Sequence, residues 1–224
     1  MAKGSKNAQQ FDLLVFDWDG TLMDSTAVIA TSIRAACADL DLPVPSEAEA
    51  RHIIGLGLNQ AIAELQPQLP PDEYPVLAAR YRFHFLGNDH ALPLFEGVAE
   101  TIPRLHNAGY WVTVATGKNR HGLDRALDQS GLRKFFHASR CGEESFSKPH
   151  PAMLQELMAL CDVPPERTLM IGDTSHDLEM ARNAGVQAVA VSYGAHDEST
   201  LREYEPLCVA KSFLELASWL AQHA

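Results

Sequence analysis

The sequence predicts an α/β fold, a doubly wound parallel sheet with an all-helical module inserted after its first strand. Three observations carry this. Short apolar runs rich in Val and Ile recur without polar alternation, as suits strands buried on both faces. Each is followed by a turn and then by an apolar stripe at helical spacing. That order makes a parallel sheet with right-handed crossovers and helices on both faces. Residues 25–94 break the rhythm, offering helical patterns and no buried strand run.

The first run, Leu13 to Phe16, ends in Asp17. The inserted module follows, punctuated by Pro43, Pro45, Pro67, Pro70, Pro71 and Pro93, and reads as four helices. Val98, Ile102 and Leu105 then form a stripe for which Gly109 is the expected C-cap. Trp111 to Ala115 (WVTVA) runs into Thr116-Gly117, and Leu123 and Leu127 share a face before Gly131. Met153, Leu154, Leu157, Met158 and Cys161 make the next helix, ending near Pro164-Pro165. Leu169 to Ile171 runs into Gly172-Asp173, after which Ser175 is expected to N-cap a helix through Arg182, stopped near Gly185. Ala188 to Ser192 is the last strand run, leading into Tyr193-Gly194, and FLELASWLA reads as the closing helix. The core is thus expected over residues 11–24 and 95–224, with the helical cap over 25–94.

With 224 residues, 46% of them hydrophobic and 21% charged, the chain can bury a sizeable core. A net charge of −11 argues against a nucleic-acid or anionic-membrane surface but leaves room for a small anionic substrate in a local pocket. Cys37, Cys141, Cys161 and Cys208 are widely spaced and form no CxxC, so reduced thiols are expected. The ten histidines show no metal-ligand spacing such as HExxH. The N-terminal MAKGSKNAQQ lacks the apolar stretch of a signal peptide, and no run approaches transmembrane length, so a cytoplasmic location is expected. Oligomeric state is not legible.

The chemistry-bearing residues sit at the carboxyl ends of the apolar runs, the edge of an open parallel sheet where ligands bind. Asp17, Asp19, Thr116 and Asp173 are therefore expected to converge. Acids crowded into one crevice repel unless a cation neutralises them, and oxygen ligands without His or Cys point to a hard ion, Mg²⁺ above all. Lys148, in SKPHP, adds a cation, and Thr116-Gly117-Lys118 offers a hydroxyl and unhindered backbone N–H groups for phosphate oxygens. Together these make a phosphoryl-transfer site. A calcium loop does not fit the D-x-D-G, because Gly20 comes too early and position 28 is Val where a bidentate Glu would stand.

These residues carry a resemblance. DWDGT at Asp17–Thr21, Thr116-Gly117, Lys148-Pro149 and GDTSHD at Gly172–Asp177 occur in the order of the four motifs of the haloacid dehalogenase superfamily. The chain most resembles the phosphoglycolate phosphatase-like branch, whose inserted cap matches the helical module. The resemblance implies a Rossmann-like core, a magnesium cofactor and a small phosphorylated substrate. It implies Asp17 as nucleophile, Asp19 as acid and base, and Thr116 and Gly117 as phosphate binders with Lys148. Asp17, Asp173 and the backbone carbonyl of Asp19 would hold Mg²⁺, and Asp177 would orient Lys148 or a metal-bound water. Arg51 and Asn59, flanking a Gly-Leu-Gly loop, are candidates for cap residues that select substrate. Motif two departs from the pattern, reading TGK where some relatives have Ser/Thr-Asn. Lys118 and Arg120 read as solvent-facing, His176 as no ligand, and Trp18 as turned into packing.

The leading functional expectation is a Mg²⁺-dependent phosphomonoesterase, with phosphoglycolate the first substrate to try. A β-phosphoglucomutase-like mutase and a pyrophosphatase are alternatives within the same chemistry. A dehalogenase would not use Asp19, and a phosphonatase needs a cap lysine, whereas residues 25–90 contain none. From other classes, a receiver-like signalling domain is about half this length and lacks the insertion. A retired binding scaffold sits poorly with intact motifs.

Overall fold

Residues 10–88 and 92–224 are described by the computed structural model. Its centre is a parallel sheet of β1 (Leu13–Phe16), β2 (Trp111–Thr116), β3 (Ala138–Cys141), β4 (Thr168–Gly172), β5 (Gln187–Val191) and β6 (Val209–Ala210). The strand order is β3-β2-β1-β4-β5-β6, with each neighbouring pair parallel. From β1 the chain winds first to one side and then, after β3, to the other, so β1 and β4 flank the point where the direction reverses. A crevice opens there at the strands' carboxyl ends.

Strand alternation explains why the runs look continuously apolar. Leu14 and Phe16 face one core layer with Leu169, Ile171, Val189 and Val191, while Leu13 and Val15 face the other with Met170. The first layer is closed by α5 (Val98–Asn107), α6 (Arg120–Ser130) and α10 (Phe213–His223), which contribute Ile102, Leu123 and Leu216. The second is closed by α7 (Ala152–Cys161) and α8 (Ser175–Ala184) through Leu157 and Met180. Gly131 and Gly185 end their helices in the left-handed conformation, as their positions after the apolar stripes suggest. The short α9 (Glu198–Arg202) precedes β6.

Three details differ from the sequence expectations. β3 reads ASRC and lies half-exposed at the sheet edge, so it lacks the apolar run that marks the inner strands. The two-residue β6 is too short to carry a pattern. The N-cap of α8 is Thr174, not Ser175: Thr174 accepts from the Asp177 amide while the Asp177 carboxylate reaches back to the Thr174 N–H.

Between β1 and β2 stand α1 (Thr26–Asp39), α2 (Glu47–His52), α3 (Leu58–Leu65) and α4 (Tyr74–Asn88). They share a core of their own that includes Ile33, Ala36, Ala50, Ile62 and Leu77. A capping box between Ser46 and Glu49 starts α2. The two connections to the sheet run side by side: Asp24 N–H donates to Pro93 O at 3.0 Å and Phe95 N–H to Leu22 O at 3.0 Å. No helix among the described residues is long and apolar enough to cross a membrane.

Candidate active site

Three of the four motifs are delivered by the end of a strand or the start of a helix. β1 ends at Phe16 and hands on Asp17; β2 ends in Thr116; β4 ends in Gly172 and hands on Asp173; the first turn of α8 carries Asp177. Lys148 comes from the loop between β3 and α7. Gly20 turns the chain after β1 at φ +82, and a Cβ there would overlap the Asp173 carboxylate.

At the centre lies Lys148, fully buried, with Nζ 2.9 Å from Asp17 Oδ1 and 2.6 Å from Asp177 Oδ1. Burial alone would lower the ammonium's pKa, but Asp17 and Asp177 outweigh it and hold the lysine above its usual value. Burial pushes the Asp17 carboxyl well above the usual carboxylate range; Lys148 pulls it back, and Asp177 and Asp173 push it up again. Asp173 is pushed up to about 7 by burial and then by Asp177. Its Oδ1 accepts from the Thr21 hydroxyl at 2.7 Å and its Oδ2 from the Ala195 N–H at 2.7 Å.

Asp17, Asp173 and Asp177 bring carboxylate oxygens within 4.8 Å of one another, all buried. Asp17 Oδ2 has no hydrogen-bond partner. Three buried carboxylates against Lys148, with an orphaned oxygen among them, form a donor set that fits a hard divalent cation. The side chain of Asp19 is not in this group. Its Oδ1 accepts from Ser25 Oγ at 2.7 Å, and its Oδ2 lies 2.9 Å from Lys118 Nζ. The two acids of DWDGT therefore occupy distinct environments, one facing Lys148 and the carboxylates, the other facing Ser25 and Lys118. Trp18 between them is fully buried in the core, edge-on to Phe136 at 6.0 Å.

Lys118 corrects the solvent-facing reading, since its ammonium is tied to Asp19 and lies 4.9 Å from the centre of the Phe85 ring. Arg120 is half-buried, bonded to Glu144 and to Ser139 Oγ at 2.9 Å. The position of Lys118, directly after Thr116-Gly117, was the available signal for its role. Ser25 and Ser147 carry no sequence signal of comparable strength. Arg51 reaches across from the insertion to donate to Gly194 O at 3.2 Å. Asn59 lines the cavity above the acids, together with Asp17, Asp19, Thr116, Gly117 and Lys118. His176 is buried, and its Nε2 lies 2.7 Å from the His52 carbonyl oxygen.

The glycine of motif two has a geometric cause. A Cβ on Gly117 would overlap the carbonyl oxygens of Leu56 and Gly55, the loop leading from α2 to α3. That loop is pinned where Gly57 N–H donates to Ser147 Oγ at 2.7 Å, and a Cβ on Gly142 would come within 2.6 Å of Gly117 O. The helical insertion thus closes a cavity of about 430 Å³ over the acids.

Comparison with known proteins agrees with this geometry. The chain is 33% identical over 218 residues to a protein named probable phosphatase IndB from Dickeya dadantii (strain 3937), covering 95% of this chain and 94% of that one. It is 32% identical over 218 residues to a phosphoglycolate phosphatase from Mesorhizobium japonicum, covering 94% and 95%. A crystal structure described as a predicted phosphoglycolate phosphatase from Haemophilus somnus 129pt superposes with a TM-score of 0.79 at 28% identity, covering 95% of this chain and 99% of that one. The family profile of the haloacid dehalogenase-like hydrolases matches residues 14–191, spanning both sheet and helical insertion. With its motif acids and lysine gathered at the sheet's carboxyl edge, the chain belongs to the haloacid dehalogenase-like hydrolase family.

Proposed function

We propose that the protein is a Mg²⁺-dependent phosphomonoesterase acting on a small phosphorylated metabolite through an aspartyl-phosphate. The observation that carries this reading is the division of labour between Asp17 and Asp19. Asp17 sits against buried Lys148 with one oxygen unpartnered, whereas Asp19 is held apart by Ser25 and Lys118 at the floor of the cavity. A nucleophile and a separate proton carrier are the two groups that such a displacement requires.

In this reading an Asp17 oxygen attacks phosphorus as the P–O bond to the leaving alcohol breaks, and protonated Asp19 gives that oxygen its proton. The Asp19 carboxylate then takes a proton from a water that attacks the aspartyl-phosphate, releasing phosphate and restoring Asp17. Thr116 and the Gly117 amide hold the phosphoryl oxygens, and Lys148 offsets their charge. Asp17 and Asp173, with the Asp19 carbonyl, would hold Mg²⁺, which when bound offsets the clustered carboxylates and polarises the phosphoryl group. Asp177 positions Lys148 through the second of its two short carboxylate contacts. The cap is taken as residues 25–94, with Asn59 on its inner wall. The cytoplasm is the compartment that keeps four widely spaced thiols reduced.

Phosphate release from p-nitrophenyl phosphate tests the proposal. Activity should require Mg²⁺ and disappear with chelator, and Asp17→Asn should lower kcat by about 10³-fold or more. Asp19→Asn should accumulate a phosphoprotein with this activated ester, because its first step needs little proton donation and its second does. Full Mg²⁺-dependent activity in Asp17→Asn would overturn the mechanism.

A further inference from the structure

The cavity over the acids is built for something larger and less polar than a two-carbon acid. At about 430 Å³ it falls within the range of pockets that take drug-sized molecules, about 300–1,000 Å³. Its cap wall includes Ile29, Ile33, Ile54, Leu56, Tyr81 and Phe85. Tyr81 and Phe85, one turn apart on α4, stack with ring centres 5.8 Å apart. Phe85 also meets the ammonium of Lys118, which pairs with Asp19, so the aromatic pair stands beside the group assigned to protonate the leaving oxygen.

The cap's charges point the same way. Residues 25–94 contain four arginines and no lysine. Arg34 donates to Pro45 O at 2.9 Å, Arg51 to Gly194 O at 3.2 Å, and Arg80 lies 3.5 Å from Asp39. None of these three lines the cavity, and Arg82, which does, is exposed. The cavity's other cationic side chains, Lys118, His121 and Arg125, come from the sheet domain, and Lys118 is paired with Asp19. On the cap side a carboxylate would therefore face isoleucine, leucine and aromatic side chains.

We infer that the preferred substrate is a phosphomonoester whose leaving alcohol carries a ring or an apolar body of similar size, seated on the Tyr81–Phe85 pair against the isoleucine wall. This rests on the phosphomonoesterase reading and adds the class of the leaving group. The hydrolysis itself is unchanged: the ester and water give the alcohol and phosphate.

Benzyl, ethyl and glycolate phosphates, all alkyl esters, separate recognition of the ring from the better leaving group of an aryl ester. With Mg²⁺, kcat/KM for benzyl phosphate should exceed that for both others by roughly tenfold or more. Phe85→Ala should bring the benzyl-to-ethyl ratio close to one. Phe85→Leu, which keeps most of the packing volume, should lower the ratio severalfold if Phe85→Ala fails to fold. Without any variant, benzylphosphonate should raise the Tm of the wild-type protein more than ethylphosphonate at equal concentration. Turnover of ethyl phosphate or phosphoglycolate equal to or above that of benzyl phosphate would overturn this inference and leave the phosphomonoesterase reading intact. Absence of turnover with all three would overturn both.

Discussion

Asp19 illustrates how a single residue is set up by its neighbours. In the proposed mechanism Asp19 gives and takes a proton and must point at one place, and Ser25 Oγ and Lys118 Nζ grip its two oxygens at 2.7 and 2.9 Å. Ser25→Ala removes one grip without touching Asp17 or Lys148. Loss of alignment should lower kcat by about tenfold while KM changes little, as steady-state kinetics would read. Asp173 yields a second prediction at this scale, for the metal-free protein. Its folded pKa of about 7 lies above the ordinary value of 3.8. Between those values the folded state binds the proton more tightly than the unfolded one. This contribution to stability is therefore present at low pH and lost as pH rises through 7. In chelator, wild type should lose Tm relative to Asp173→Asn as pH is raised from about 5 to 8. Mg²⁺ should restore the loss, most strongly at the alkaline end, because bound metal replaces the proton as the neutralising charge. A difference between the two proteins that stays flat with pH would contradict the assigned burial of Asp173.

At the scale of elements, the contact that closes the site is backbone against backbone. The Gly55–Gly57 loop of the insertion rests on Gly117 and Gly142 of the sheet edge, and no side chain fits between them. Gly117→Asn should hold the loop off the sheet. Its kcat/KM should fall by about 10- to 100-fold with little change in Tm, since the displaced loop is local. Thermal unfolding and phosphate release on the same sample test both halves. The inner strands and most helices were legible because burial on both faces forces apolar runs, and because Gly131 and Gly185 mark helix ends. β3 was not legible: an edge strand satisfies only one neighbour and tolerates the polar sequence ASRC. The cap at Thr174 is legible only when Asp177 is counted as the third residue of its capping box, which the expectation of Ser175 left out.

Across the whole molecule, the insertion is clasped to the sheet domain by imidazoles. His176 and His196 both place Nε2 near the His52 carbonyl oxygen, at 2.7 and 3.0 Å, and His196 Nδ1 accepts from the Ser175 N–H at 3.0 Å. His196 is thereby fixed as a neutral tautomer. Burial pulls His176 down to about 4 and lowers His196 as well. With folded values below the unfolded one near 6.5, their contribution is intact above pH 6.5 and lost as pH falls toward 4. Tm should therefore fall between about pH 6.5 and 5 in the wild type. It should fall less in His176→Gln/His196→Gln, whose amides keep a donor but do not titrate. Equal slopes in the two proteins would remove the clasp from the acid response.

The sequence by itself determined the α/β architecture, the place of the insertion and the four chemical motifs. These are local consequences of periodicity, turn chemistry and residue type, and each can be read within a window of a few turns. It also pointed to a hard cation for a metal held there, because the candidate ligand atoms are all oxygens. Only the tertiary structure decided which carboxylates meet. Asp177 joins Asp17 and Asp173, whereas Asp19 turns away to Ser25 and Lys118. It likewise tied Arg51 to the Gly194 carbonyl and gave the cavity its apolar wall. The first of these outcomes depends on which strands the sheet sets side by side, and the apolar wall on how a separate helical unit lands on the sheet edge, a contact between residues about 60 to 90 positions apart. No local pattern encodes it, because burial rewards the fit of two surfaces and not the order of residues along either one.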